Sequence, residues 1–117
     1  MISKELLSVV LSNYSITGVY PSYDESDVMT AVQYEIEEIV FEINIYRLAH
    51  LCKEWARSEG LEMFIYEIKD SQKNYEVRVL RKEERDSDEY VFSWWNLDTE
   101  PEAVIKACLW ILDNKDT

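Results

Sequence analysis

The stretch NIYRLAHLCKEWARSEG, residues 44–60, predicts one long amphipathic helix that covers a small β-sheet. Asn44 is a suitable N-cap, because its side-chain oxygen can accept a hydrogen bond from an amide of the first helical turn. Gly60 suits the left-handed backbone conformation in which many helices end. Apolar residues recur at steps of three and four, which places them on one buried face. That face consists of Ile45, Leu48, Ala49, Cys52, Trp55 and Ala56.

The segment before this helix begins with a shorter helix and a strand. Ser3 can cap a first helix whose apolar stripe is typical of an amphipathic surface helix. A short strand is predicted over residues 16–20, and Pro21 is expected to end it. The polar and acidic residues 22–27 are typical of a loop.

Residues 28–43 are predicted to form a β-hairpin. Apolar residues alternate along the segment, and the alternation slips by one position at Glu37 and Glu38. A period of two that slips by one residue requires a turn or a bulge at that point. The expected strands cover residues 28–36 and 39–43. The sequence leaves open whether they join the same sheet as the later strands.

Three further strands and a final helix follow Gly60. The strands are expected over residues 61–68, 75–80 and 90–95. Thr99 and Glu102 form a capping box at the start of the helix. The order α-β-β-α-β-β-β-α predicts one α+β domain over residues 1–117. We expect a two-layer α/β sandwich with a mainly antiparallel sheet and its helices on one face.

The charge of the chain is strongly acidic and unevenly distributed. The 117 residues include 24 acidic and 12 basic side chains, for a net charge of −12. Residues 1–42 hold eight acids and one base. Such a field disfavours direct binding to nucleic acid or an anionic membrane, and it favours basic protein surfaces. The alternative is that the acidity only keeps a small protein soluble.

No combination of residues predicts an enzyme, a cofactor or a metal site. His50 is the only histidine and lies off the buried face of its helix. The two cysteines, Cys52 and Cys108, fall on the buried faces of two helices. We favour reduced core thiols over a disulfide of a secreted chain. With glycines only at 18 and 60, no Gly-rich phosphate loop can form.

Three stretches together resemble a group of short phage and prophage proteins. They are MISKELLSVVL at residues 1–11, INIYRLAHLCKEWA at residues 43–56 and TEPEAVIKACLWIL at residues 99–112. The last also resembles the C-terminal helix of the phage ABA-sandwich type. The resemblance covers about a third of the chain and does not extend to the middle of the predicted hairpin, where its glutamates lie. It implies a fold and a viral origin, and it assigns no catalytic residue.

Two functional hypotheses follow from these patterns. The first is an acidic phage protein that inhibits a basic host factor in the host cytoplasm. Its target would be a nucleic-acid-handling defence complex such as a CRISPR effector, so the protein would act as an anti-CRISPR-like nucleic-acid mimic. The expected partner-binding residues are Asp24, Glu25, Asp27, Glu35, Glu37, Glu38, Glu42 and Trp95.

The second hypothesis is a non-enzymatic accessory domain that acts through an apolar patch. The domain would bind another protein or self-associate into a homodimer. Either Trp94 or Trp95 would contribute to the patch, since adjacent residues of a strand point to opposite faces. The apolar side of the last helix would provide the rest, namely Ile105, Leu109 and Trp110.

Overall fold

The computed structural model describes residues 3–11, 14–23, 29–68, 75–81 and 90–114, with the main chain alone at 95 and 96. The described residues form three helices and six strands. In chain order these are α1 (Lys4–Val10), β1 (Gly18–Tyr23), β2 (Met29–Ile36), β3 (Ile39–Asn44), α2 (Ile45–Ser58), β4 (Leu61–Glu67), β5 (Tyr75–Arg81), β6 (Phe92–Leu97) and α3 (Glu100–Asn114).

The six strands form two separate antiparallel sheets. Sheet A has the order β1-β2-β3, and sheet B has the order β4-β5-β6. The α+β class is therefore confirmed. The question left open by the sequence is also answered, because the hairpin forms its own sheet with β1. Helices α2 and α3 cover one face of sheet B, and α2 also contacts sheet A.

Helix α2 joins the two sheets through the face that its sequence predicts. Asn44 Oδ1 accepts a hydrogen bond of 2.8 Å from the amide of Tyr46. Gly60 adopts φ +82°, so the predicted left-handed ending is confirmed. The buried residues of the helix are the six that the periodicity predicts. They share one core with buried side chains of both sheets, such as Val32 and Val77.

The N-terminal cap of α3 differs in one detail from the expected capping box. Thr99 Oγ1 accepts a hydrogen bond of 3.2 Å from the amide of Glu102. The carboxylate of Glu102 accepts a bond of 3.1 Å from the amide of Asp98. The reciprocal bond therefore reaches one residue beyond the N-cap, and two amides at the helix start are still satisfied.

Strand β1 is longer than predicted, because Pro21 does not end it. The strand continues to Tyr23, and Pro21 lies opposite Val32. Proline has no N–H to donate, so it is tolerated at the edge of a sheet, where one side of the strand needs no partner. A register shift follows between Ser22 and Tyr23. Residues 22 and 23 of the expected loop therefore belong to β1, and residues 24–27 lie outside the described residues.

The two thiols are buried and free between α2 and α3. Cys52 and Cys108 have no exposed surface. The Cys108 thiol donates a hydrogen bond of 3.4 Å to the main-chain carbonyl of Cys52. Interaction with the Cys52 side chain, followed by burial, raises the pKa of Cys108 far above its ordinary value. The favoured interpretation, two reduced core thiols, agrees with this arrangement.

The raised pKa of Cys108 predicts protection from alkylation and a fall in stability at alkaline pH. Because the thiolate is the reactive form, Cys108 should resist a thiol reagent in the native state, and Cys52 should resist it because its side chain is buried. Both should react in guanidinium. The folded state holds its proton more tightly than the unfolded state. The free energy of unfolding should therefore be level near neutral pH and fall above about pH 8.5. Labelling rates and urea titrations at several pH values test this, and rapid native labelling would contradict it.

Candidate partner-binding surface

The β2–β3 hairpin, residues 29–44, carries four of the predicted partner-binding carboxylates; we call it the acidic hairpin. Glu37 and Glu38 form its two-residue turn with φ 49° and 71°. Turns with two positive φ values match the twist of a hairpin, and they usually contain Asn or Gly. Glu37 and Glu38 therefore both adopt the left-handed backbone conformation, which is unfavourable for L-residues, and both side chains are exposed at the tip of the hairpin.

The other two carboxylates lie on the outer face of sheet A. Gln33 is opposite Glu42 in the register, and Glu35 is two residues further along β2, so the three side chains share one face. Tyr20 Oη donates a hydrogen bond of 3.3 Å to Glu35 Oε2. Gln33 Nε2 donates a bond of the same length to Glu42 Oε2. Neutral donors thus orient both carboxylates without neutralising their charge.

No cation compensates this surface among the described residues. Ion pairs elsewhere in the described part of the chain join His50 to Glu54, Lys53 to Glu100 and Arg78 to Glu76, and these pairs lie outside sheet A. The sequence explains the difference, because it has no Lys, Arg or His between Lys4 and Arg47. Sequence reasoning found the four glutamates but missed Tyr20 and Gln33, whose role depends on the strand register.

The inner face of the acidic hairpin is apolar, and α2 covers only part of it. Tyr34 stacks on Phe41 with ring centroids 5.5 Å apart. Burial raises the pKa of Tyr34, and Tyr14 nearby raises it further. Near the turn, α2 no longer covers this face, so Ile39 is 61% exposed and Phe41 is 41% exposed. The alternating sequence predicted these residues to be strand residues, but it gave no signal that they would be exposed.

The remaining predicted partner-binding residues cannot be assigned to the same surface. Asp24, Glu25 and Asp27 lie outside the described residues. Trp95 belongs to β6, and only its main chain is described. The four glutamates of the acidic hairpin are therefore the ones that the structure brings together.

A second surface is an aromatic groove between β6, α3 and the start of α1. Its volume is about 680 Å³. Phe92 stacks between Trp94 and Trp110, at centroid distances of 6.5 and 4.9 Å. Lys106 Nζ lies 4.4 Å from the ring centroid of Trp94, as in a cation–π contact. The aromatic groove is lined by Ser3, Glu5, Phe92, Trp94, Lys106, Leu109, Trp110, Leu112 and Asp113.

The aromatic groove corrects one part of the apolar-patch hypothesis. Ile105 was expected on the contact side of the last helix, but it is 6% exposed and belongs to the core. Leu109 and Trp110 do line the groove. Helical periodicity placed all three residues off the inward face. Because α3 packs against both α2 and sheet B, more of its circumference is buried than a single apolar face would cover.

The other candidates for chemistry give no assembled site in the described part of the chain. His50 is on the surface of α2, with its Nε2 atom 3.1 Å from a Glu54 carboxylate oxygen. No three His, Cys, Asp or Glu side chains in the described ranges are grouped closely enough to hold a metal ion. Within those ranges, no helix has the length and apolar character needed to cross a membrane.

Comparison with known proteins gives no further assignment. No protein-family model matches the chain, and no curated protein or solved structure shows significant similarity to it.

Proposed function

We propose that this chain is an acidic, non-enzymatic binding protein of the phage or prophage type. It would bind a basic nucleic-acid-handling protein in the host cytoplasm and inhibit it by occupying the surface that normally holds phosphates. A defence complex such as a CRISPR effector is the partner class that we favour. The proposal requires no cofactor, metal, catalytic residue, membrane or direct nucleic acid contact.

The observation that carries this proposal is the uncompensated charge of the acidic hairpin. Four carboxylates lie within residues 35–42, and no cation lies between Lys4 and Arg47 to offset them. A groove that binds nucleic acid is positively charged, and its walls are low in dielectric, so it also attracts carboxylates. The donors Tyr20 and Gln33 support the proposal, because they hold two of these carboxylates in fixed positions before a partner arrives.

Removing the two outer-face charges should weaken capture of a basic partner. We expect the double variant Glu35→Gln and Glu42→Gln to bind such a protein from bacterial lysate at least about tenfold more weakly, because each lost charge-assisted contact contributes about 1.5–3 kcal/mol. Binding would be measured with immobilised protein at low and moderate salt. The affinity of the double variant should also fall less steeply with salt than that of the wild type.

A matched control separates this surface from overall acidity. Glu54 and Glu67 are exposed acids outside sheet A. Their double replacement with Gln removes the same charge, and it should leave capture nearly unchanged. Heparin, a polyanion, should displace the captured protein from the wild type. If both double variants lose affinity equally, or if heparin has no effect, then the acidic hairpin is not a nucleic-acid mimic.

The aromatic groove favours a second candidate function, self-association or apolar protein binding. Trp94 is 46% exposed at the wall of the groove, and exposed Trp is enriched among residues that dominate interface energies. If a homodimer forms there, Trp94→Ala should weaken it at least about thirtyfold, since such residues contribute about 2 kcal/mol or more. Sedimentation over a range of concentrations measures this.

The variants must distinguish loss of the dimer contact from loss of folding. Trp94 is preferred to Trp110, because Trp110 packs against Phe92 and its loss would also disturb the core. Tyr46→Ala is the control, since Tyr46 is 68% exposed on α2 and lies outside the groove. A monomer at all concentrations, or a dimer that both variants weaken equally, would contradict self-association through the groove.

A further inference from the structure

Strand β3 is an open edge of sheet A. Among the described residues it pairs with β2 alone. Ile36 and Ile39 flank the two-residue turn, and in such a turn the carbonyl of the first accepts from the amide of the second. Main-chain groups then alternate in direction along the strand. The N–H and C=O groups of Val40 and Glu42 therefore point away from β2.

The pairing of β2 with β1 supports this assignment of the main-chain directions on β3. The carbonyl of Glu35, which is the residue opposite Val40, accepts a bond of 2.8 Å from the amide of Thr17 on the side of β1. Glu35 therefore directs its main chain away from β3. Glu35 and Val40 therefore form a non-hydrogen-bonded pair. In such a pair the N–H and C=O groups of Val40 point away from β2, toward the open edge.

The two edges of sheet A differ in their protection against added strands. Natural sheets protect their edges with proline, lysine or bulges. Strand β1 contains Pro21 and the register shift between Ser22 and Tyr23. Strand β3 has a regular register, and its sequence IVFEIN contains no proline or basic residue. Of the two edges of sheet A in the described part of the chain, β3 is therefore the less protected.

The two faces beside this edge have different chemistry. On the inner face, Ile39 and Phe41 are exposed and apolar. On the outer face, Glu42 and the neighbouring Glu35 are acidic, with Val40 between them. A strand added to β3 would place alternate side chains against these two faces. Apolar residues would match the first face and basic residues the second.

We propose that β3 accepts an extended segment of a partner protein in which apolar residues alternate with lysine or arginine. Main-chain hydrogen bonds to Val40 and Glu42 would provide affinity, and the alternating side chains would provide specificity. A second copy of this chain fits less well, because described sheet A contains acidic side chains and no basic ones. This inference rests on the proposed function and specifies how the basic partner binds.

Synthetic peptides can test the inference on the unaltered protein. The probe is a capped peptide of about eight residues, a common strand length, in which lysine and valine alternate. The control has the same composition, with all lysines before all valines. We expect the alternating peptide to bind at least about tenfold more tightly in fluorescence titrations, because only it can satisfy both faces of β3 together. Equal affinities would overturn strand addition but leave the charge-based function standing.

Methylation of alternate peptide nitrogens provides a second arm of the test. In a strand, amides of the lysines and amides of the valines point to opposite edges. Of the two methylated peptides, one should therefore bind at least about tenfold more weakly and the other normally, because only one set of amides faces β3. Equal effects of the two methylated peptides, or no measurable binding of the unmethylated one, would overturn the proposal.

A protein variant tests the same edge from the other side. Val40→Pro removes an outward N–H that the hairpin does not use, so the domain should stay folded and bind the alternating peptide at least about tenfold more weakly. Glu35→Gln with Glu42→Gln should weaken the alternating and the block peptide alike, because it changes charge and not strand pairing. Sedimentation of the wild type without peptide shows whether a second copy occupies the edge, and a β3-dependent dimer would overturn the choice of partner.

Discussion

Replacing Leu48 with alanine is expected to lower the free energy of unfolding by about 3–5 kcal/mol. Leu48 has no exposed surface and lies in the middle of the buried face of α2. Truncation removes the transfer free energy of its buried methyl groups and leaves a cavity. The cavity cannot close easily, because α2 is in contact with both sheets and with α3. A small domain has about 5–15 kcal/mol of stability, so the loss is a large fraction of the total.

The same substitution one turn later on the helix provides the control for Leu48. Leu51 also belongs to α2 but is only partly buried. Because helix propensity changes equally in both variants, Leu51→Ala should cost no more than about 1–2 kcal/mol. Urea titrations followed by tryptophan fluorescence measure both values. Equal losses would mean that α2 does not hold the two sheets through this face.

Replacing Glu37 with Asn and Glu38 with Gly should raise the free energy of unfolding by about 1–2 kcal/mol. Both glutamates adopt positive φ, which costs an L-residue about 1 kcal/mol or more at each position. Asn-Gly is the pair that such hairpin turns prefer. The native sequence therefore keeps two negative charges at the turn, although Asn-Gly would be more stable there.

A charge-only variant separates backbone strain from electrostatics at this turn. Replacing both glutamates with Gln removes the charges but keeps side chains that also disfavour positive φ. This variant should gain only a few tenths of a kcal/mol in thermal or urea unfolding. Both variants should capture a basic partner more weakly than the wild type does. A stabilised Asn-Gly variant that binds normally would show that the turn residues have no role in recognition.

Local sequence signals predicted the helices and the hairpin turn well. The six buried residues of α2, its cap at Asn44 and its ending at Gly60 all agree with the structure. The slip in alternation at Glu37 and Glu38 correctly located the turn. These features depend on residues a few positions apart, so the sequence contains the information that they need.

The failures concern contacts between distant segments. The apolar-patch hypothesis placed Ile105 on an outer surface, yet it is buried, because α3 packs on two neighbours. Pro21 was expected to end a strand, but it continues as an edge residue of sheet A. Whether a residue lies at an edge depends on which strand pairs with it, and no local pattern contains that information.

The sequence by itself determined the α+β class, the buried face of α2 and the excess of acidic residues before Arg47. Periodicity, capping chemistry and charge are properties of neighbouring residues, so they can be read before folding is known. Only the tertiary structure decided that the strands divide into two sheets, that Glu35 and Glu42 share a face, and that β3 lies at the edge of its sheet in the described part of the chain. Strand register and packing between helices and sheets join residues far apart in the chain, and they decide which side chains reach a partner.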